Sequence, residues 1–208
     1  IVPTKDGRLV LRHEADLRET TNIQSLGSFD GRHLSTELTF TELQELRAVE
    51  RVPKWRPGSA KFDGQFLVPS LTSLLESEMV AGKTLILEVK DAPIFAAQGF
   101  DIVSLFADCV ETSGVASRAT VWVEAFEWET MNALRSRLGK SFPLIYGMEE
   151  WDEEHAFDYD GVSLDFQLIR KRPELVGRIH EAGLPVYGFT ARVEFAENSV
   201  EEYFHHLI

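Results

Sequence analysis

From about position 83 onward, the sequence alternates short β-rich runs with helical stretches, and a glycine or proline separates most of them. This alternation constrains the fold most strongly, because repeated strand–helix–strand units build a parallel sheet with crossover helices. Helices are predicted over residues 101–112 and 129–138, and a third begins at Pro173 and ends at Gly183. Strands are predicted over residues 85–89, 120–123, 144–146, 161–164 and 186–190.

Two α/β architectures fit this alternation, a doubly wound sheet and a closed (β/α)8 barrel. No Gly-x-Gly-x-x-Gly motif follows a predicted strand, which argues against a dinucleotide-binding sheet. Polar residues at the ends of several strands are typical of a TIM-type barrel, where catalytic groups lie at those ends. The 208 residues, 44% of them hydrophobic, are enough for a single barrel domain over residues 1–208.

Residues 23–69 interrupt the alternation, and we interpret them as an insertion after the second strand region. They are rich in glycine and proline and contain one predicted helix over residues 41–49, for which Thr41 and Gln44 fit a capping box. Long excursions of this kind serve either as lids and substrate-binding loops or as plain surface decoration.

The composition disfavours or excludes several kinds of binding partner and site. The net charge of −13 arises from 34 acidic and 21 basic residues, so most of the surface repels a phosphate backbone and nucleic acid is disfavoured. Cys109 is the only cysteine, which excludes an intrachain disulfide and a thiolate metal cluster. No apolar run is long enough for a membrane span, so we expect no stable membrane insertion.

Two charged residues end an otherwise apolar predicted strand. Glu88 and Lys90 are two positions apart and therefore share one face, while Leu87 and Val89 share the other. Opposite charges on a face expected to be buried indicate either a structural salt bridge or part of a functional site. His13 follows another short apolar run and is either a hydrogen-bonded structural residue or an acid–base group, because imidazole titrates near neutrality.

A series of short motifs follows one another in a set order and spacing over nearly the whole chain. The motifs are Thr4-Lys5-Asp6-Gly7, Val10-Leu11-Arg12-His13-Glu14, Asp16-Leu17, Glu19-Thr20-Thr21-Asn22, Leu38-Thr39, Glu42-Leu43, Phe66-Leu67-Val68-Pro69-Ser70-Leu71, Leu87-Glu88-Val89-Lys90, Glu124-Ala125-Phe126 and Val186-Tyr187-Gly188-Phe189-Thr190. Together they resemble the glycerophosphodiester phosphodiesterase family. The segment 190–194 is most similar to the branch of bacterial periplasmic enzymes, which favours a periplasmic or secreted location over a cytoplasmic one.

The resemblance implies a TIM-type barrel that hydrolyses glycerophosphodiesters such as glycerophosphocholine to glycerol 3-phosphate and an alcohol, in lipid and glycerol metabolism. It assigns His13 as the second of two acid–base histidines, Glu88 as the third carboxylate of a Ca²⁺ or Mg²⁺ site, and Lys90 as the lysine near the phosphate. Phe126 and Phe189 are candidate walls of the substrate pocket, with packing in the core as the alternative. Either water or the glycerol hydroxyl of the substrate can act as the nucleophile.

The resemblance also implies that parts of the family pattern fall outside the chain. The His-Arg-Gly motif and the Glu-x-Asp metal pair would precede Ile1, and a closing Gly-x-Asp-Gly strand would follow Ile208. We therefore expect a barrel incomplete at both ends, and little activity from the 208 residues alone. The alternatives are an enzyme similar to sphingomyelinase D or lysophospholipase D, and a catalytically silent barrel that binds a ligand or a partner.

Overall fold

The computed structural model describes residues 1–196 and 199–205, which group into two compact units. The first unit comprises residues 1–121 and the second begins at Trp122. The first contains β1 (Val2–Pro3), β2 (Leu9–Val10), α1 (Phe40–Leu43), α2 (Pro57–Ala60), α3 (Leu71–Glu76), β3 (Thr84–Glu88), α4 (Ala92–Ala97) and α5 (Ile102–Thr112). Strand β4 (Thr120–Ala125) crosses the boundary, and α6 (Trp128–Leu138), β5 (Leu144–Met148), β6 (Gly161–Asp165), α7 (Phe166–Lys171), α8 (Glu174–Glu181), β7 (Val186–Phe189) and α9 (Val200–His205) follow it.

Short 3-10 helices connect these elements, at Ile23–Ser25, Gly27–Phe29, Ser35–Glu37, Glu78–Val80, Val115–Ser117 and Val193–Phe195. In the part of the chain that the structure describes, no helix combines the length and the apolar character needed to cross a bilayer.

The first unit begins with a hairpin whose turn brings the chain back towards its start. Strands β1 and β2 pair antiparallel, with Val2 opposite Val10, and the turn between them closes when Gly7 N–H donates to the Thr4 carbonyl at 2.9 Å. Gly7 has a φ of +75°, a conformation in which a Cβ atom would be strained. Strand β2 ends at Val10, so His13 lies in the irregular segment beyond it.

Within residues 23–69, the segment interpreted above as an insertion, the structure contains short helices and no named strand. Three leucines of this segment, Leu38, Leu43 and Leu46, are fully buried. The predicted helix over residues 41–49 is wrong in its extent: α1 ends at Leu43. Its capping box is formed by Thr39 and Glu42, not by Thr41 and Gln44.

The chain leaves the helical path after α1 because its backbone groups find partners elsewhere. Arg47 N–H donates to the side-chain oxygen of Asn22 at 2.7 Å, and Asn22 N–H donates to the Arg47 carbonyl at 3.0 Å. Ala48 then pairs antiparallel with Thr21. Hydrogen bonds to the segment 21–22 therefore replace the helical ones.

Helix α5 shows why the predicted alternation is correct from position 83 onward. The Asp101 carboxylate accepts a hydrogen bond from Ser104 N–H at 3.0 Å and caps the helix, while Ile102, Phe106 and Val110 form its buried face. The other predicted strands and helices of this region are also confirmed, with ends that differ by one or two residues.

The second unit contains a parallel sheet. Strand β4 pairs with β5, β5 with β6 and β6 with β7, all parallel, so these strands follow one another in chain order across the sheet. Asp165 ends β6 and caps α7 through Gln167 N–H at 2.6 Å. Helix α8 buries Leu175 and Ile179 on one face, the pattern of a helix that packs on a sheet, while Val176 is only partly buried.

Candidate active site

Glu88 and Lys90 lie in contact at the carboxyl end of β3. Lys90 Nζ is 3.6 Å from Glu88 Oε1, and the two side chains are 21% (Glu88) and 24% (Lys90) exposed. Leu87 and Val89, on the other face, are buried. Glu88 and Lys90 therefore share one face, as predicted, but this face is partly open to solvent and not buried as expected, since Ile86 on the same face is also exposed.

The start of the chain lies beside this pair. The backbone nitrogen of Ile1 donates a hydrogen bond to the carbonyl oxygen of Glu88 at 3.0 Å. The beginning of the β1 segment therefore lies next to the end of β3, the strand end that carries Glu88.

His13 is held by its neighbour in sequence. Its Nδ1 atom is 2.9 Å from Glu14 Oε1, and the imidazole is 52% exposed. The same carboxylate oxygen accepts a hydrogen bond from Nη1 of Arg51, also at 2.9 Å. Partial burial of Glu14 opposes its ionisation, but the charge and hydrogen bond of His13, together with Arg51, hold the pKa of Glu14 below its usual range.

Arg12, which precedes His13, carries a guanidinium group with unused donors. Its Nε and Nη2 atoms are buried and have no hydrogen-bond partner among the residues that the structure describes. Burial lowers the pKa of Arg12, and the charge of Glu14 opposes this effect. Because buried donors without acceptors are costly, this position favours an anionic partner.

The two predicted aromatic residues, which lie in the second unit, contact each other. The rings of Phe126 and Phe189 meet edge to face, with centroids 4.9 Å apart, and both side chains are partly buried. Phe126 also lies against Gly147 of β5, where a Cβ atom would come within 2.8 Å of the ring. The absence of a side chain at Gly147 therefore leaves the space that Phe126 occupies.

The described residues do not by themselves form a cation site. No group of three His, Cys, Asp or Glu side chains within residues 1–196 and 199–205 is arranged to hold a metal ion. Glu88 is a carboxylate at a strand end and can supply one oxygen ligand, the donor type that Ca²⁺ and Mg²⁺ prefer. The residues present thus fit one ligand of the expected set and not the complete set.

Sequence reasoning did not assign roles to Glu14, Arg51 or Arg12. The adjacency of Glu14 to His13 is a signal that could have identified the first of these. Arg51 is 37 positions away from Glu14 and lies in the insertion, so no local pattern relates the two. Among the clefts lined by described residues of the first unit, two of about 540 and 420 Å³ share Arg8, Thr72 and Glu76 in their walls, and none of the predicted site residues lines either of them.

Comparisons with known proteins agree on the fold and the family. Residues 1–207 match the glycerophosphoryl diester phosphodiesterase family. Among solved structures, the chain is similar to a glycerophosphodiester phosphodiesterase from Parabacteroides distasonis ATCC 8503, with 18% identity and a TM-score of 0.66. That match covers 92% of this chain and 68% of the solved one, so the fold is that of an incomplete TIM-type barrel. Among curated proteins, no sequence matches. The match over residues 1–207 means that the chain belongs to the glycerophosphoryl diester phosphodiesterase family.

Proposed function

We propose that this protein hydrolyses small glycerophosphodiesters, such as glycerophosphocholine, to glycerol 3-phosphate and an alcohol. Family membership supports phosphodiester hydrolysis in general. The observation that carries the finer proposal is the contact of Glu88 with Lys90 at the carboxyl end of β3, because a carboxylate and an ammonium at a strand end suit a metal-assisted phosphoryl site.

In this proposal His13 is the acid–base group. Its Nδ1 is held by Glu14, which leaves Nε2 to exchange a proton with the attacking or leaving oxygen. Lys90 supplies a positive charge for the phosphoryl oxygens. Arg12, which precedes His13 in the sequence, has buried donors without a partner among the described residues and therefore also favours an anion. Phe126 and Phe189, whose rings contact each other, are the proposed aromatic walls for the substrate.

A divalent cation is the proposed cofactor. Glu88 would contribute one carboxylate oxygen, the donor type that Ca²⁺ and Mg²⁺ prefer. When bound, Ca²⁺ or Mg²⁺ would neutralise charge on the phosphodiester. The proposed role of His13 requires only the proton of its imidazole, and that of Lys90 requires only the charge of its ammonium group.

The principal test is the turnover of glycerophosphocholine, measured as choline release by the full-length protein. We expect His13→Ala to lower kcat by at least about a hundredfold with an unchanged melting temperature, since general acid–base catalysis contributes factors of this size. Near-normal turnover would reject the role of His13. The 208-residue piece alone should show little activity, because it carries one of the three expected metal carboxylates.

A second candidate is an enzyme similar to lysophospholipase D. It is favoured by exposed aromatic residues in the insertion: Trp55, Phe62 and Phe66 are 55%, 52% and 57% exposed, and the last two rings lie 5.8 Å apart. A comparison of kcat/KM for glycerophosphocholine and lysophosphatidylcholine separates the two candidates. Higher kcat/KM for the lysophospholipid, lost in Phe62→Ser, would favour the second.

A catalytically silent barrel is the remaining alternative. It is favoured because the described residues lack a complete group of metal ligands. Full-length protein that binds glycerophosphocholine in calorimetry and releases no choline in the presence of Ca²⁺ or Mg²⁺ would support this alternative.

A further inference from the structure

The orientation of the His13 ring depends on a short chain of hydrogen bonds. An ionised carboxylate can only accept hydrogen bonds, so the 2.9 Å contact with Glu14 Oε1 places a proton on Nδ1 of His13. In the neutral ring, Nε2 is then the basic nitrogen. A carboxylate that selects the tautomer of a histidine in this way is the arrangement found in Ser-His-Asp triads.

Arg51 holds the carboxylate in turn. Its Nη1 donates to the same oxygen of Glu14 that contacts His13, and its side chain is largely buried, with 21% of its surface exposed. The charged groups around Glu14 are Arg12, His13 and Arg51. Glu14 therefore remains ionised at neutral pH, where it can accept from both His13 and Arg51.

The backbone around Arg51 is fixed by hydrogen bonds to other segments. Val49 N–H donates to the Thr20 carbonyl at 3.1 Å, and Glu50 N–H donates to the Asp63 carboxylate at 2.8 Å. These bonds tie the residues before Arg51 both to the segment that follows His13 and to the remainder of the insertion. Arg51 thus reaches Glu14 from a backbone segment that these two hydrogen bonds connect to its neighbours.

We propose that Arg51, a residue of the insertion, is a positioning residue for catalysis: through Glu14 it holds His13 with Nε2 free to exchange protons with the substrate. The proposal rests on the proposed function of His13. It gives residues 23–69 a part in the reaction that neither a lid nor a surface decoration would have. Loss of Arg51 would release the Glu14 side chain into other rotamers and let the His13 ring populate both tautomers.

The test measures the tautomer and the turnover separately in the full-length protein. Ring nitrogen chemical shifts of ¹⁵N-labelled histidine, recorded above neutral pH, report which nitrogen of His13 carries the proton. Glu14→Gln should let His13 also populate the tautomer with its proton on Nε2. It should lower kcat about 10- to 100-fold with KM unchanged, the range for partners that orient a ligand or base. Arg51→Ala should change both readouts in the same direction by a smaller factor, and Arg51→Lys should restore part of the loss.

Arg18→Ala is the matched control, because the Arg18 guanidinium forms an exposed ion pair with Asp16 in the same segment and does not hold Glu14. It should leave both the tautomer and kcat unchanged. The proposal is overturned if Arg51→Ala preserves the tautomer and kcat, or if Arg18→Ala reproduces its effects. Because the tautomer is read without turnover, an active His13→Ala enzyme would reject the proposed role of His13 and leave the orientation of the ring as a separate result.

Discussion

Glu88 and Lys90 form an ion pair at the end of β3, with Nζ of the lysine 3.6 Å from Oε1 of the glutamate and both side chains partly open to solvent. Solvent screens a partly open pair of this kind, and for surface pairs the contribution to stability is small, roughly 0 to 1 kcal/mol. Stability alone therefore gives little reason for two charges at this strand end, and a role in binding a cation or an anion is the more informative hypothesis to test.

Glu88→Gln keeps the shape of the side chain and removes its charge. If Glu88 is a metal ligand, the concentration of Ca²⁺ or Mg²⁺ that gives half-maximal choline release should rise by about tenfold or more, since ligand and near-ligand changes have effects of this size. The control is Glu78→Gln, which alters an exposed carboxylate in the same unit. An unchanged metal response with a lower melting temperature would instead indicate a structural salt bridge.

Lys90→Gln tests the proposed contact with the phosphoryl group. Removal of the ammonium should lower kcat/KM for glycerophosphocholine by about 10- to 100-fold, because charge-assisted hydrogen bonds contribute roughly 1.5 to 3 kcal/mol. Lys90→Arg keeps the charge and should retain more of the activity. Equal losses in the two variants would contradict a charge-based role, as would full activity of Lys90→Gln.

Gly147→Ala should destabilise the protein, because the new Cβ atom would lie 2.8 Å from the ring of Phe126. Overpacking of this kind costs about 1 to 3 kcal/mol in the free energy of unfolding, measurable by urea denaturation. Gly177→Ala is the control: it lies inside α8 with open space where the new methyl group would project, so the free energy of unfolding should rise by up to about 1 kcal/mol. A neutral Gly147→Ala would show that Phe126 can move away.

Glu42 should contribute to the acid sensitivity of the insertion. Hydrogen bonds from the Arg32 side chain and the Thr39 backbone lower its pKa from 4.5 to about 2. A carboxyl group with a lowered folded-state pKa stabilises the protein above its unfolded value, and this contribution is lost as the pH falls from about 4.5 towards 2.

The measurement is the difference in melting temperature between the wild type and Glu42→Gln. This difference should be largest near pH 6 and shrink as the pH approaches 2.5. Glu45→Gln, at a neighbouring exposed position of the same segment, is the control for the removal of one surface charge. A constant difference for Glu42→Gln would mean that the Arg32 and Thr39 bonds do not couple its ionisation to folding.

The alternation from position 83 onward could be predicted because each element carries its own local signals. Asp101 supplies the cap of α5, and the buried residues of that helix recur every fourth position. The opposite faces of Glu88 and Leu87 follow from strand geometry alone. Predictions from short-range signals of this kind are correct here because the hydrogen bonds of the folded protein are the local ones that the signals indicate.

The extent of the helix after Thr39 could not be predicted in the same way. Residues 41–49 have helical spacing, but Arg47 and Ala48 use their backbone groups to pair with the segment 21–22. Partners more than twenty positions away in the sequence decided this outcome, and no local window contains them.

The sequence by itself determined the parallel strand–helix architecture, the shared face of Glu88 and Lys90, and the resemblance that led to His13. Only the tertiary structure decided that Arg51 reaches the carboxylate next to His13, that the charged face of β3 is partly open, and that Phe126 occupies the space left by Gly147. The physical reason is the range of the forces involved: periodic burial and capping act within a few residues, whereas hydrogen bonds and packing between distant segments depend on how the chain closes on itself.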